Sequence, residues 1–299
     1  MAAASFLAVG PHIYREHKES YDELISRELL WTREQFPEGA PMRPCVAIFI
    51  EGPRDTNIRF GEEVARKLRA INDSYASSSI VFHAAYHDHP WISEPSKVFA
   101  HLSIIARLCA IIGAPLVIHS VSRNLFRHDN GIATLERICA DANGDCKICI
   151  ETMPNDARYA DPRMLNAIFD TYIANGMPRK VGLCIDTAHI WSAGADISSR
   201  ENCIQWFDQI RADIPIVIHL NDCTTPLGSK RDIHANIGCG EIWADEVPRD
   251  EVPRDENQGY QYIIQWARQR GAPVILERHA DEKYRAGLAQ DIAKISHSL

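Results

Sequence analysis

No apolar run in this 299-residue chain approaches the ~20 residues a membrane helix needs, so a membrane span is excluded. The opening residues, MAAASFLAVGPHIYREHK, lack the basic flank of a secretory leader and pass straight from an apolar stretch into polar sequence. They read as a first strand rather than a signal peptide. An excess of basic residues is missing too. The net charge of −8 weighs mildly against nucleic acid, unless bound cations supply positive charge where a phosphate docks. Cysteine pairs at zinc-finger spacing are also absent: Cys146 and Cys149 form one C-x-x-C with no second pair. Placed on a strand, those two point to opposite faces, which makes them packing residues. The nine cysteines, odd in number and set mostly in apolar stretches, suit reduced thiols, so an intracellular, reducing compartment such as the cytoplasm is expected.

What the chain does contain is a rhythm. Short apolar runs recur at 6–10, 45–50, 79–84, 115–120, 147–151, 181–186, 215–220 and 273–277. Between them lie stretches of helical period, such as 95–113 and 201–213. Runs this apolar, without alternation, suit parallel strands covered on both faces. Eight strand-then-helix units predict a closed (β/α)8 TIM barrel forming a single domain over 1–299, with a doubly wound sheet as the structural alternative. One stretch interrupts the rhythm: residues 244–258 carry EVPRD twice in tandem, and their charge and prolines predict a solvated loop inserted before the last helix.

In such a barrel the active site forms at the C-terminal ends of the strands. The third run finishes at His83, the fourth at His119, the fifth at Glu151, the sixth at Asp186, the seventh at His219 and the eighth at Glu277. With 40 acidic residues and 13 histidines in the chain, six successive hits would be a coincidence of order one in a thousand. Adjoining loops add His189, and Asp232 with His234 in HLNDCTTPLGSKRDIH. Burying four carboxylates uncompensated is prohibitive, so cations are expected among them. Nitrogen and oxygen donors without thiolate suit zinc first and manganese second, and nine groups fit a cluster of two or three ions sharing a carboxylate. Taken singly, a His or Asp at a strand end is more often a helix cap or a satisfied core group; it is the convergence that argues for ligation. His87 and His89 fall beyond their strand end and read as loop residues. His12, His17, His101, His128, His279 and His297 carry no comparable signal.

At this point the residues resemble the endonuclease IV family of zinc-dependent apurinic/apyrimidinic endonucleases, closely so in its large-DNA-virus, asfarvirus-like form. The resemblance is carried by IET, CIDTAHIWSAG, HLND, GSKRDIH and ILE, motifs spread from the middle of the chain almost to its end. It implies the same barrel and three zinc ions. The first would be held by His83, His119 and Glu151, the second by Glu151, Asp186, His219 and Glu277, and the third by His189, Asp232 and His234. Three dications would bring the charge of −8 to about −2. The implied partner is double-stranded DNA with abasic sites, bound by a monomer and contacted by Arg54 and Tyr86. The implied reaction is hydrolysis of the phosphodiester on the 5′ side of the lesion, leaving a 3′-hydroxyl and a 5′-deoxyribose phosphate. Glu277 would orient or deprotonate the attacking water and Glu151 would bridge two ions, while 3′-phosphodiesterase or exonuclease activity could accompany incision. For a viral protein the location would be host cytoplasm, nucleus or virion. The chain departs from the pattern at Ile233, where the family has Arg, in the first strand, and in the EVPRD insertion.

Two other readings stay open. A sugar isomerase or epimerase of the xylose-isomerase-like barrels shares strand-end ligands but needs only one or two ions, leaving Asp232 and His234 surplus. A non-catalytic, abasic-DNA-binding zinc protein would bind the lesion without cutting it.

Overall fold

Runs of Ile, Val and Leu that alternate between two apolar environments pair laterally into one closed sheet. The computed structural model describes residues 6–15, 19–54, 57–75, 79–86, 95–120, 128–142, 146–174, 180–244, 258–278 and 283–299. The chain begins β1 (Leu7–Ile13), α1 (Tyr21–Glu34), β2 (Met42–Pro44), β3 (Val46–Phe49), α2 (Glu62–Ser74), β4 (Ile80–His83) and α3 (Pro95–Ile112). It continues through β5 (Leu116–His119), α4 (His128–Asp141), β6 (Ile148–Glu151), a 3₁₀ turn (Ala157–Ala160), α5 (Pro162–Ala174), β7 (Val181–Asp186), α6 (Thr187–Ala193) and α7 (Arg200–Phe207). It closes with β8 (Ile216–His219), β9 (Asp222–Cys223), β10 (His234–Ala235), α8 (Gly259–Arg270), β11 (Val274–Leu276) and α9 (Tyr284–His297).

The strand order β1-β3-β4-β5-β6-β7-β8-β11 returns to β1, every pairing parallel. This is the expected (β/α)8 barrel, and each of the eight apolar runs supplies one stave. β2 adds a short parallel partner on β1. β9 and β10 form a separate antiparallel pair above the barrel mouth. None of the helices among the described residues is long and apolar enough to cross a membrane.

Strand periodicity sorts the side chains. Ile80, Phe82, Leu116, Ile118, Ile148, Ile150, Leu183 and Ile185 face outward into the large core beneath the helices. Each such burial stabilises by about 1.5–3 kcal/mol. The inward positions form a second, smaller cluster: Ala8, Cys45, Ala47, Val81, Val117, Cys149, Cys184, Val217 and Ile275. These are compact residues because a closed barrel of eight strands leaves room for little more. Cys149 lies in the inner cluster and Cys146 in the outer one, so the C-x-x-C is two packing thiols. All nine cysteines are free, eight of them buried. Gly10 is where β1 crosses closest to the next stave: a Cβ there would lie 1.7 Å from the Cys45 carbonyl oxygen.

One helix is shorter than its apolar pattern suggests. The stretch 201–213 is helical only to Phe207. Beyond it, partners from elsewhere replace helical bonds: Asn166 Oδ1 accepts from the Arg211 amide at 3.2 Å, and Arg270 donates to the carbonyls of Arg211 and Ile214 at 2.7 and 3.0 Å. The EVPRD loop lies outside the described residues except for its two ends.

Candidate metal centre at the barrel mouth

Two residues beyond the inner apolar layer, on the same face of each strand, the side chains change character. Val81 is followed by His83, Val117 by His119, Cys149 by Glu151, Cys184 by Asp186, Val217 by His219 and Ile275 by Glu277. Parallel register then makes neighbours of them: His119 pairs with Glu151 and Asp186 with His219 across adjacent strands.

Glu151 stands at the middle. Its Oε2 lies 2.7 Å from His119 Nε2 and 3.2 Å from His83 Nε2, and its Oε1 lies 2.8 Å from His219 Nδ1. His219 Nδ1 also looks at Glu277 Oε2 at 3.4 Å and Asp186 Oδ2 at 3.8 Å. A second constellation sits beside the first: Asp232 Oδ2 is 3.3 Å from His189 Nε2 and 3.4 Å from His234 Nε2, and Asp186 Oδ2 is 3.6 Å from that same His234 nitrogen. All nine residues singled out as ligand candidates are thus brought together at one mouth. Donor atoms of His83, His119 and Glu151 lie within 4.8 Å of one another, as do those of Glu151, Asp186, His219 and Glu277, and those of Asp186, His189 and His234. Asp186 therefore adjoins the last two groups, as Glu151 adjoins the first two.

Asp186 and His189 owe their placing to a helix start. Asp186 ends β7 and caps α6, its Oδ1 accepting the His189 amide at 3.0 Å. The first helical turn then swings His189 back over the barrel. Cap and cluster member are the same residue. α6 stops after seven residues at Gly194, whose φ of 117° is left-handed. His234 is carried in by the β9/β10 pair, opposite Cys223. Asp222 gathers the loop that follows, its carboxylate accepting the amides of Cys223, Gly238, Gly240 and Ile242 at 2.8–3.1 Å.

The donor set fits dications. His219 is fully buried, yet neither ring nitrogen has a hydrogen-bond partner among the described residues, and His234 Nε2 is in the same condition. Imidazoles aimed at several carboxylates without hydrogen-bond geometry are what a shared positive ion between them requires. Two rings have their other nitrogen engaged: His83 Nδ1 donates to the Ala84 carbonyl at 2.7 Å and His189 Nδ1 to the Thr152 carbonyl at 2.6 Å. Each therefore presents Nε2 to the centre. Only nitrogen and oxygen take part in these three groups. Cys184 lies near Glu151 and His219, but burial holds its thiol well above the ordinary value.

Electrostatics report the same crowding. Burial acts to raise the Glu151 carboxyl, but His119 and His219 outweigh it and hold the group well below the ordinary range. Glu277 is likewise held down against burial, chiefly by His219. Burial works against charge on His189, yet Asp186 and Asp232 carry it up to about 10.

Tyr86 stands at the rim, 46% exposed, and its amide donates to the Pro53 carbonyl at 3.0 Å. That bond draws exposed Arg54 to the same edge, where it lines a pocket of about 310 Å³ with Tyr14, Arg15, Phe49 and Arg59. Ile233, between two ligand candidates, is 43% exposed. His87, His89, His17 and His279 lie outside the described residues. His101 faces Glu51 at 3.4 Å and His297 bonds its own helix; neither reaches the centre. His12 does. Two residues past Gly10 on the inward face of β1, its ring centroid is 4.8 Å from Phe49 and 6.1 Å from His83. Burial lowers its pKa to about 3, so it stays neutral. The apolar run read from the sequence ends at Gly10, two residues short of it, and only the longer strand of the structure, reaching Ile13, brings it to the mouth.

Residues 44–292 match the family described as "Xylose isomerase-like TIM barrel". The chain is 30% identical over 244 residues to a probable AP endonuclease of African swine fever virus (isolate Pig/Kenya/KEN-50/1950), covering 78% of each. Among solved structures, "The crystal structure of AsfvAP:AG" superposes with a TM-score of 0.77 at 24% identity, covering 97% of both chains. Endonuclease IV from Thermus thermophilus superposes with a TM-score of 0.73 at 19% identity over 96% of this chain and 98% of that one.

Proposed function

The chain belongs to the xylose isomerase-like TIM barrel family, and within it we propose a zinc-dependent AP endonuclease that cleaves the phosphodiester 5′ to an abasic site in duplex DNA. The observation that carries this reading is the convergence of five imidazoles and four carboxylates at one mouth in three overlapping groups. A sugar isomerase of the same fold would need one or two ions, and the His189–Asp232–His234 group would have no task there. The names of the similar proteins point the same way.

In this proposal His83, His119 and Glu151 hold one zinc ion, Glu151, Asp186, His219 and Glu277 a second, and His189, Asp232 and His234 a third, with manganese as a substitute. Zinc in such a site supplies Lewis acidity and lowers the pKa of water to near 7. The protein's own part is to aim donors and place the substrate. Glu277, partly open to the mouth and hydrogen-bonded through its amide to Asn221 Oδ1 at 3.0 Å, orients the attacking water and takes its proton. Tyr86 and Arg54, tied together through Pro53, enter the gap left by the missing base. An abasic nucleotide has no base to unstack, so its extrusion costs less than flipping an intact one, and this contributes to selectivity. Free cysteines are consistent with work in a reducing, intracellular compartment.

A zinc-loaded sample incubated with a duplex containing one tetrahydrofuran residue tests the reading. Incision on the 5′ side with a 3′-hydroxyl product is expected, abolished by EDTA. Tight binding without incision would leave only the lesion-binding role standing.

A further inference from the structure

The carboxamide of Asn221 sits between two strand-end carboxylates. Its Nδ2 donates to Asp186 Oδ2 at 2.7 Å, and its Oδ1 accepts from the backbone amide of Glu277 at 3.0 Å. An amide could sit either way round by shape alone; Arg278 decides. Arg278 Nη1 donates to that same Oδ1 at 2.6 Å and to the Glu277 carbonyl at 2.7 Å. A guanidinium offers only donors, so the oxygen of Asn221 must face it and the amino group must face Asp186. The rest of the fork grips Asp291 Oδ2, from Nε at 3.0 Å and Nη2 at 2.7 Å. Asp291 in turn accepts the Ile237 amide and Asn236 Nδ2, each at 2.9 Å, which anchors the segment directly after His234.

We propose that Arg278 is a positioning residue for the metal centre, setting the aim of Asp186, Glu277 and His234 through Asn221 and Asp291. Arg278 is 6% exposed and Asp291 fully buried. A buried ion pair is weak as a source of stability, since apolar residues of similar volume often serve as well. What this pair does that apolar residues could not is dictate donor and acceptor directions on three ligand-bearing segments. The group of His83, His119 and Glu151 lies outside the network. It is placed by the register of β5 on β6 and by the bond from His83 to Ala84. The effect is therefore selective: the second and third groups depend on Arg278, and the first does not.

The inference rests on the metal reading above, and its test separates the two. The metal-free full-length protein is titrated with zinc against a chromophoric chelator. Three ions bind the unsubstituted chain. Arg278→Lys keeps the charge but loses the fork; one ion keeps its affinity while the others weaken by about 10- to 100-fold. Asn221→Ala, which leaves the Arg278–Asp291 pair and with it the anchor after His234 whole, weakens the ion at Asp186 and Glu277 while the first ion keeps its affinity, and decides the matter if the lysine variant does not fold. Equal weakening of every ion, or no weakening in either variant, would overturn the proposal. If the unsubstituted chain takes up no zinc, the metal reading itself fails and this inference goes with it.

Discussion

The ring of Tyr86 lies flat on that of His119, centroids 4.8 Å apart and planes 12° apart. One face of the tyrosine therefore covers a metal-ligand candidate, while nearly half of the residue stays open to solvent. A rigid aromatic plate at that height can stack on a base beside a lesion, worth about 1–3 kcal/mol. Tyr86→Ala is expected to weaken binding to tetrahydrofuran-containing duplex about 10-fold or more, with Tyr86→Phe close to the parent. Fluorescence anisotropy at fixed salt measures it. Equal affinities for the alanine variant and the parent would remove Tyr86 from the DNA surface.

Glu151 touches three imidazoles with two oxygens. Glu151→Gln leaves the shape but removes the charge that two proposed ions share. Zinc content should fall by at least one ion, and incision by at least ~10³-fold, equivalent to about 4 kcal/mol of barrier. The depressed carboxyl also sets a sign. In the metal-free protein its contribution to stability is present above the ordinary carboxylate range and lost as pH falls through the lowered value. Acid melts of parent and Glu151→Gln should converge at low pH. A variant with full zinc content and unchanged turnover would rule out the bridging role.

The strand-end ligand candidates are legible because a parallel strand buried on both faces has only two kinds of position, inward and outward, repeating every second residue. Once Val81, Val117, Cys149 and Cys184 are inward, His83, His119, Glu151 and Asp186 must be as well. Loops obey no such period. Asp232 and His234 could be named only as members of the loop that follows the seventh strand end, and nothing there disclosed that Asp186 would also approach His234. The roles of Asn221 and Arg278 were hidden for a related reason: both arise from contacts between the ends of β8 and β11 and the middle of α9, which no local pattern encodes. The short α7 was misread because Asn166 and Arg270, distant in sequence, supply what the helix would have supplied.

Gly10 offers a test of the barrel itself. A methyl group there would sit 1.7 Å from the Cys45 carbonyl oxygen, a backbone atom that cannot rotate away, so β1 must shift against its neighbour. Overpacking of this kind costs about 1–3 kcal/mol, occasionally more. Gly10→Ala should lower the urea midpoint accordingly and loosen His12 and Phe49 above it. An unchanged midpoint would mean that the two staves part more easily than their contacts imply.

His189 and Asp232 give the metal-free protein a pH signature. His189 is carried up to about 10 from its ordinary 6.5, against burial, by Asp186 and Asp232. Asp232 is drawn down to about 2 from 3.8, against burial, chiefly by His189. A raised imidazole contributes stability fully below its unfolded value and loses it as pH rises through about 10; a lowered carboxyl contributes fully above its unfolded value and loses it as pH falls through about 2. The pair is thus at full strength from about pH 4 to 6.5. Zinc requires the Nε2 lone pair that this proton occupies, because Nδ1 is already donating to Thr152. At neutral pH, binding at the third group must expel the proton, and affinity there should rise about tenfold per pH unit up to about 10. Calorimetry at pH 7 in buffers of different ionisation enthalpy counts the protons released. Asp232→Asn, which withdraws one of the two carboxylates that hold the proton on, should let the affinity level off at a lower pH than in the parent. If the parent releases no proton at pH 7, His189 was not the protonated partner in this pair.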